Sequence, residues 1–342
     1  MDIPLWATAL IAFGLVNMCL IAASALVYAE RRVAAFIQER VGPNRVGPIG
    51  LLQPFADVLK LFFKEDIRPS QANPFIHSLA PYLMVTIAMT TISVIPLARG
   101  VFVADVGVGI LVILALTSLS VYGVTLAGWS SNSKYALLGG LRSSAQMISY
   151  ELSMGAAVVS VIVLTGSLNL SDIVEAQGNW LGLGWNLFKN PLGFIIFVVT
   201  AFAETNRAPF DLPEAEQELV GGYHTEYSGM KFGMFFLAEY VNMFIASFVI
   251  VTLFLGGYII PFEPLLLSVV PSLDGSILLG VLQHLTLLAK VAAVSFFFIW
   301  VRWTFPRFKY NQLMTLGWKV LLPISLINVL LVAIVVLGLS YL

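Results

Sequence analysis

Three carboxylates stand inside otherwise apolar stretches of this 342-residue chain: Glu151 after Ser149-Tyr150, Glu204 at the end of the run from Pro191, and Glu239 within Leu237-Ala238-Glu239-Tyr240. An ionisable group in hydrocarbon costs at least a few kcal/mol, so each is a functional candidate before any other residue type. With a rise of about 1.5 Å per residue, Glu151 and Glu239 fall roughly 10 Å inside the same-side ends of their helices, and Glu204 lies at its own end. Carboxylates at matching depth on three helices suit a proton relay. Alternatively they pair with a buried cation, for which Lys290, near the middle of another apolar stretch, is available. Lys290 alone reads as a structural counter-ion or a partner-facing charge, and His284, His77 and His224 read as structural polar residues.

The polar segments between the apolar stretches carry further signals. The segment 30–73 opens with Glu30-Arg31-Arg32 and passes through Gln38-Glu39-Arg40-Val41-Gly42-Pro43-Asn44-Arg45-Val46-Gly47-Pro48, where two Gly-Pro pairs mark tight turns. From Gly50 to Lys64, Leu51, Leu52, Phe55, Val58, Leu59, Phe62 and Phe63 recur at helical spacing with Asp57 and Lys60 among them. That pattern predicts an amphipathic helix lying at the interface, either a surface anchor or one edge of an entrance for a lipid-soluble substrate. Between Glu204 and Glu226 six acids face a single cation, Arg207. Anionic headgroups would repel such a loop, so it is solvated, meets a basic partner or collects protons. The segment Arg302-Trp303-Thr304-Phe305-Pro306-Arg307-Phe308-Lys309-Tyr310 interleaves cations with aromatics, as suits the headgroup level.

These groups need a scaffold, and the composition says which kind. Hydrophobic residues make up 59% of the chain and charged residues only 11%, against about 25% charged in soluble domains. The mean hydropathy of +0.91 is spread along the whole length. Residues 3–29 carry no charge, which exceeds the roughly 20 apolar residues of a spanning helix and is too long for a signal peptide. Further apolar stretches run at 74–98, 106–128, 145–166, 190–204, 232–260, 278–301 and 319–341, giving eight crossings.

The fifth crossing is short, and charge asymmetry decides for it. Of 18 Lys and Arg, Lys290 lies within a crossing, Arg99 and Lys189 fall on one side, and the other fifteen fall opposite. Without the fifth crossing the split becomes nine against eight, which discards the positive-inside signal. The expected fold is therefore all-α: a single polytopic membrane domain over 1–342 with eight transmembrane helices and an amphipathic interfacial helix. Both termini are expected on the periplasmic side, with loops 30–73, 129–144, 204–231 and 302–318 in the cytoplasm. No repeat of the kind found in many transporters is visible.

The net charge of −1 gives no basic field for nucleic acid, and Cys19 is the sole cysteine. One Cys and three dispersed His offer no metal-ligand spacing, so no metal site is expected here. Phosphate loops and serine–histidine–acid sets are absent, and Gly139-Gly140 and Gly221-Gly222 stand too isolated to form a motif.

The segments Glu30-Arg31-Arg32, Gln38 to Pro48, Gly50 to Asp57, Ala203-Glu204-Thr205-Asn206-Arg207-Ala208-Pro209-Phe210-Asp211-Leu212 and Pro306 to Met314 resemble a family of respiratory complex I (NADH-quinone oxidoreductase) membrane subunits whose mitochondrial counterpart is NADH dehydrogenase subunit 1. The resemblance covers essentially the whole chain, with its motifs in family order. Arg32 stands where relatives often have Lys, and Asn311 where many have Asp.

The resemblance implies a membrane subunit of a proton-pumping NADH:quinone oxidoreductase, in the bacterial inner membrane, with no redox centre of its own. Quinone is the implied substrate, FMN and iron–sulfur clusters belong to partner subunits, and the partners are other membrane-arm and peripheral-arm subunits. Transferred residue by residue, Glu30, Arg31, Asp57, Lys60 and Arg207 would line the quinone tunnel. Asp211, Glu214, Glu216, Glu218 and Glu226 would line an acidic funnel, Glu151, Glu204 and Glu239 would begin the proton relay, and Arg40, Arg142, Arg302 and Arg307 would anchor the loops. Two other readings remain open from sequence: the related membrane subunit of a membrane-bound hydrogenase or formate hydrogenlyase, and a free-standing ion transporter.

Overall fold

The computed structural model describes residues 5–211, 221–271 and 275–340. Among these residues every regular element is helical, apart from one isolated bridge between Ala98 and Val101. Long apolar runs have no alternative in lipid, because only a helix satisfies every backbone N–H and C=O within its own segment. The elements that position the polar groups are α1 (Leu5–Ile37), α2 (Gln53–Phe63), α3 (Pro74–Thr91), α4 (Gly109–Ser130), α5 (Lys134–Thr165), α6 (Pro191–Glu204), α7 (Gly229–Phe254), α8 (Ile277–Thr304) and α9 (Tyr310–Ser340). Seven of the described helices are long and apolar enough to span a membrane. The fifth expected crossing, α6, falls short of that class. Its 14 residues reach about 21 Å, against roughly 30 Å of hydrocarbon.

Boundaries differ from the sequence reading, most of all at α1, α5 and α9, the last of which starts at Tyr310 rather than near 319. The triplet Glu30-Arg31-Arg32 lies within α1, which runs on to Ile37, because Glu and Arg are good helix formers and no Gly or Pro intervenes before Gly42. α5 starts at Lys134 rather than near 145. Its first turns include Gly139 and Gly140, whose missing side chains allow close packing: a Cβ on Gly139 would lie 2.8 Å from the Gly222 backbone, and one on Gly140 3.4 Å from Gly128 Cα. Gly139 and Gly222, one from each glycine pair that forms no motif in sequence, thus meet in space, fixing the segment after the acidic loop against α5.

α7 and α5 are the interior helices. Of the apolar window of α7, 61% is buried, against 17% for α1 and 22% for α8 and α9. α7 packs on α3, α8, α1 and α2, and α5 packs on α4, α6 and α9. α2 begins at Gln53 after a 3-10 turn at Pro48–Gly50, and with Leu51 and Leu52 just before it leaves Phe55, Val58, Leu59, Phe62 and Phe63 exposed, as an interfacial helix requires.

Between α5 and α6 the chain makes three short helical turns at Leu170–Glu175, Asn179–Gly182 and Asn186–Lys189. They supply caps for the end of α7: Gln177 Nε2 donates to Thr252 O at 2.9 Å and Asn186 Nδ2 to Leu253 O at 2.8 Å. Lys290 completes this cap, its Nζ donating to the carbonyls of Leu255, Gly257 and Ile259 at 2.9, 3.0 and 2.8 Å. The cation considered as a counter-ion for the relay acids therefore neutralises a helix C-terminus instead.

The Gly139 contact predicts that Gly139→Ala lowers the stability of the purified complex by about 1–3 kcal/mol through overpacking against backbone. Gly155→Ala, where an added Cβ meets nothing within 4 Å, serves as the matched control. Melting curves of the two variants make the comparison, and an unchanged Gly139→Ala midpoint would refute the close approach.

Candidate functional site

The segment after α6 is held by an amide side chain from α5. Gln146 Nε2 donates to Ala203 O at 2.9 Å and to Phe210 O at 2.8 Å, while Asn206 takes a left-handed φ of 50°. On the outer side, Phe308 N donates to Pro209 O at 3.2 Å. This tight fold turns Arg207 inward, where its side chain is fully buried.

Around Arg207 four helix residues converge. Its Nη1 lies 2.6 Å from Glu30 Oε2 of α1, its Nε 2.9 Å from Glu239 Oε1 of α7, and its guanidinium 4.4 Å from the ring centre of Tyr240. The Nε contact is ionic rather than a hydrogen bond, since the N–H does not point at the oxygen. Arg302 of α8 closes the group, with Nη1 2.6 Å from Glu30 Oε1 and 3.9 Å from Glu239 Oε1. Two carboxylates and two guanidinium groups thus form a cluster of zero net charge. Burial opposes the charge on Arg207, but Glu239 and Glu30 outweigh it and hold the guanidinium protonated.

Next to this cluster, a cleft of ≈ 350 Å³ opens between α1, α2 and α7, lined by Arg31, Asp57, Lys60 and Tyr240 among apolar side chains. Asp57 organises its polar wall: Arg31 Nη1 lies at 2.6 Å, Lys60 Nζ at 3.8 Å, and Gln53 Nε2 donates at 3.1 Å. Tyr240 borders both the cleft and the cluster.

The remaining acids occupy different surroundings. Ser118 of α4 donates to Glu151 Oε1. Glu204 lines a narrow cavity of ≈ 60 Å³, together with residues of α3, α4, α5, α6 and α7, and its Oε2 has no hydrogen-bond partner among the described residues. Asp211 pairs with Arg307 Nη2 at 3.0 Å. Burial pushes its carboxyl up to about 6 against the pull of Arg307 and Arg302.

Among the expected loop anchors, Arg302 and Arg307 are ion-pair partners, Arg142 stacks over the Tyr310 ring at 5.7 Å, and Arg40 donates to Gln38 at 2.7 Å on the surface. Glu226 sits apart from the cluster, beside the Tyr227–His77 stack. Glu214, Glu216 and Glu218 lie outside the described residues.

Sequence reasoning passed over Tyr240, Gln146, Ser118 and Asn242. Three of these carry a legible signal, being polar residues within apolar runs; Tyr240 adjoins Glu239 and is informative only once Arg207 is seen on its ring.

Removing one partner from a buried ion group strands the others, at about 3–5 kcal/mol. Arg207→Met is therefore expected to destabilise the assembled complex by that amount, because Glu30 and Glu239 would share Arg302 alone. Combining it with Glu239→Gln should recover part of the loss. Chemical unfolding of both variants checks this, and a double variant that is additive would break the proposed coupling.

The comparisons with known proteins agree with this architecture. The family model described as NADH dehydrogenase matches residues 10–333. The chain is 73% identical over 334 residues to NADH-quinone oxidoreductase subunit 8 of Rhodothermus marinus, covering 97% of this chain and 98% of that protein. To the H subunit of NADH-quinone oxidoreductase from Salinibacter ruber it is 69% identical over 327 residues, covering 95% of each. To an H subunit of the same enzyme from Cytophaga hutchinsonii it is 45% identical over 342 residues, covering 96% of this chain and 97% of that one. An all-helical membrane scaffold matched over nearly its full length places this chain in the NADH dehydrogenase family, among the membrane subunits of respiratory complex I, the NADH:quinone oxidoreductase.

Proposed function

We propose that the chain forms much of the quinone-access tunnel of the assembled enzyme and begins a carboxylate relay that couples quinone reduction to proton translocation. The observation that carries this reading is the shared wall at Tyr240, where the cleft between α1, α2 and α7 abuts the buried Glu30–Arg207–Glu239–Arg302 cluster. An apolar cleft with a few polar groups suits a quinone headgroup on an isoprenoid tail. Arg31, Asp57 and Lys60 form its polar side, and Asp211 belongs to the acidic funnel of this reading.

Reduction of quinone places negative charge next to a cluster whose members are already paired. A new anion competes with Glu30 and Glu239 for Arg207 and Arg302, and a carboxylate that loses its cation takes up a proton. Glu239 carries that change along α7 towards Glu204 and Glu151, the acids that meet hydroxyls and a cavity rather than cations. The electron-carrying groups, FMN and iron–sulfur clusters, reside in partner subunits, and contacts with the peripheral arm fall on the cytoplasmic loops. The bacterial sources of the relatives support a multi-pass protein of the bacterial inner membrane.

The same reading makes α6 an eighth crossing, with both termini periplasmic. α6 is shorter than the bilayer core, and three short helical turns precede it. Single cysteines in a Cys19→Ala background test this. Ser70→Cys and Lys309→Cys should react with an impermeant maleimide only from the cytoplasmic side, and Phe188→Cys and Ser340→Cys only from the periplasm. Labelling of positions 188 and 309 from one side would remove α6 as a crossing.

Glu204→Gln and Glu239→Gln should each lower coupled NADH:quinone reduction by about tenfold or more, with the complex still assembled on native gels. Full activity and full pumping in either assembled variant would take that residue out of the relay.

A further inference from the structure

Asn242 lies on α7 one turn beyond Glu239 and lines the same cavity as Glu204. Asn242 is half-buried and its amide has no hydrogen bond to a described residue, while the buried Oε2 of Glu204 has no partner among them. A buried carboxyl oxygen left without a partner forfeits about 1–3 kcal/mol. The other polar residues on the wall do not relieve it. Thr91, Thr117, Ser120 and Thr205 donate their hydroxyl protons to helix carbonyls, those of Ile87, Leu114, Thr117 and Ala201, at 2.9, 2.9, 2.7 and 2.9 Å. Each oxygen is left able only to accept.

The cavity thus presents a set of acceptors, one amide that both donates and accepts, and one carboxyl, with no protein donor between them. Water meets that set. The volume of ≈ 60 Å³ has room for about four waters, which can donate to the four hydroxyl oxygens and bridge the amide to the carboxyl.

We propose that Asn242 is a positioning residue that holds a water cluster in this cavity and thereby joins the Glu239 end of the relay to Glu204. The inference rests on the relay reading and extends it. Asn242 and Glu239 are three residues apart on one helix face, so the amide that lines the cavity neighbours the paired acid. A proton leaving Glu239 passes along the cluster, each water accepting one proton and releasing another. The net change is protonated Glu239 and ionised Glu204 becoming ionised Glu239 and protonated Glu204. An amide suits the position because it orders water through both its groups without adding a charge that α7 would have to bury.

The test compares Asn242→Leu, Asn242→Ser and Glu204→Gln in assembled complex, measuring coupled quinone reduction, protons moved per electron and the solvent deuterium isotope effect. Asn242→Leu removes both polar groups at nearly constant volume. It should lower the coupled rate by about tenfold, with fewer protons moved per electron and a larger isotope effect. Asn242→Ser, which still holds water, should restore at least about half of the rate, a rescue that loss of packing would not show. An Asn242→Leu enzyme within about twofold of the parent, beside an impaired Glu204→Gln, would overturn the proposal and leave the relay standing. A Glu204→Gln enzyme as active as the parent would remove the relay and this inference with it. If Asn242→Leu does not assemble, high-resolution cryo-electron microscopy of the parent complex decides: ordered water within hydrogen-bond reach of both Asn242 and Glu204 supports the proposal, and a dry cavity refutes it.

Discussion

A guanidinium kept charged and out of water is the constraint around which this part of the molecule is organised. Taking one ion from water costs several kcal/mol even after relaxation, and Arg207 is fully buried. The cost is offset only if Glu30 of α1 and Glu239 of α7 reach it together, with the Tyr240 ring against its face and Arg302 of α8 balancing the second negative charge. Three helices and one loop must therefore take up a common arrangement. The loop in turn depends on Gln146, whose one amide group bonds to Ala203 O and Phe210 O on either side of Arg207.

That arrangement sorts the acids of the membrane domain into two kinds. Glu30 and Glu239 are matched by cations, so on the proposed reading a change of charge at the adjoining cleft would act on them first, by competition for the same guanidinium groups. Glu151 meets a serine hydroxyl, and Glu204 meets a small cavity with hydroxyl and amide walls. In the relay proposed above, this contrast would give charge movement a direction, from the paired acids beside the cleft to the acids within the bundle that have no cation. Salt bridges elsewhere contribute less: Arg31–Asp57 and Arg99–Glu175 are partly exposed, and pairs in contact with solvent are worth about 0–1 kcal/mol.

The rest of the fold serves placement. α7 ends while still enclosed by other elements, which is permitted because Gln177, Asn186 and Lys290 take its terminal carbonyls. α9 contains a π-helical turn at Leu316–Leu321, and α5 grips it there: Tyr150 donates its hydroxyl to Leu313 O at 2.8 Å and Trp318 donates its indole N–H to Ser149 at 3.0 Å. Ser149 and Tyr150 precede Glu151, so the acid sits on a part of α5 that is locked to a neighbouring helix.

The sequence by itself determined the fold class, because an apolar run longer than the bilayer core must be helical, and it exposed Glu151, Glu204 and Glu239, because a charge in such a run is visible without coordinates. It also marked the amphipathic α2 through its helical spacing, and the family through motifs kept in order along the chain. Pairing was not legible. Nothing along the chain says that Arg207 meets Glu30, 177 residues away, or that Arg302 meets it from 272 residues away. The depths of Lys290 and Glu239 likewise gave no sign that the cation caps a helix end while the acid binds arginine. Helical periodicity reports which face a residue occupies, whereas the partner on that face depends on which helices pack together, and close contacts such as Gly139 on Gly222 decide that only in the tertiary structure.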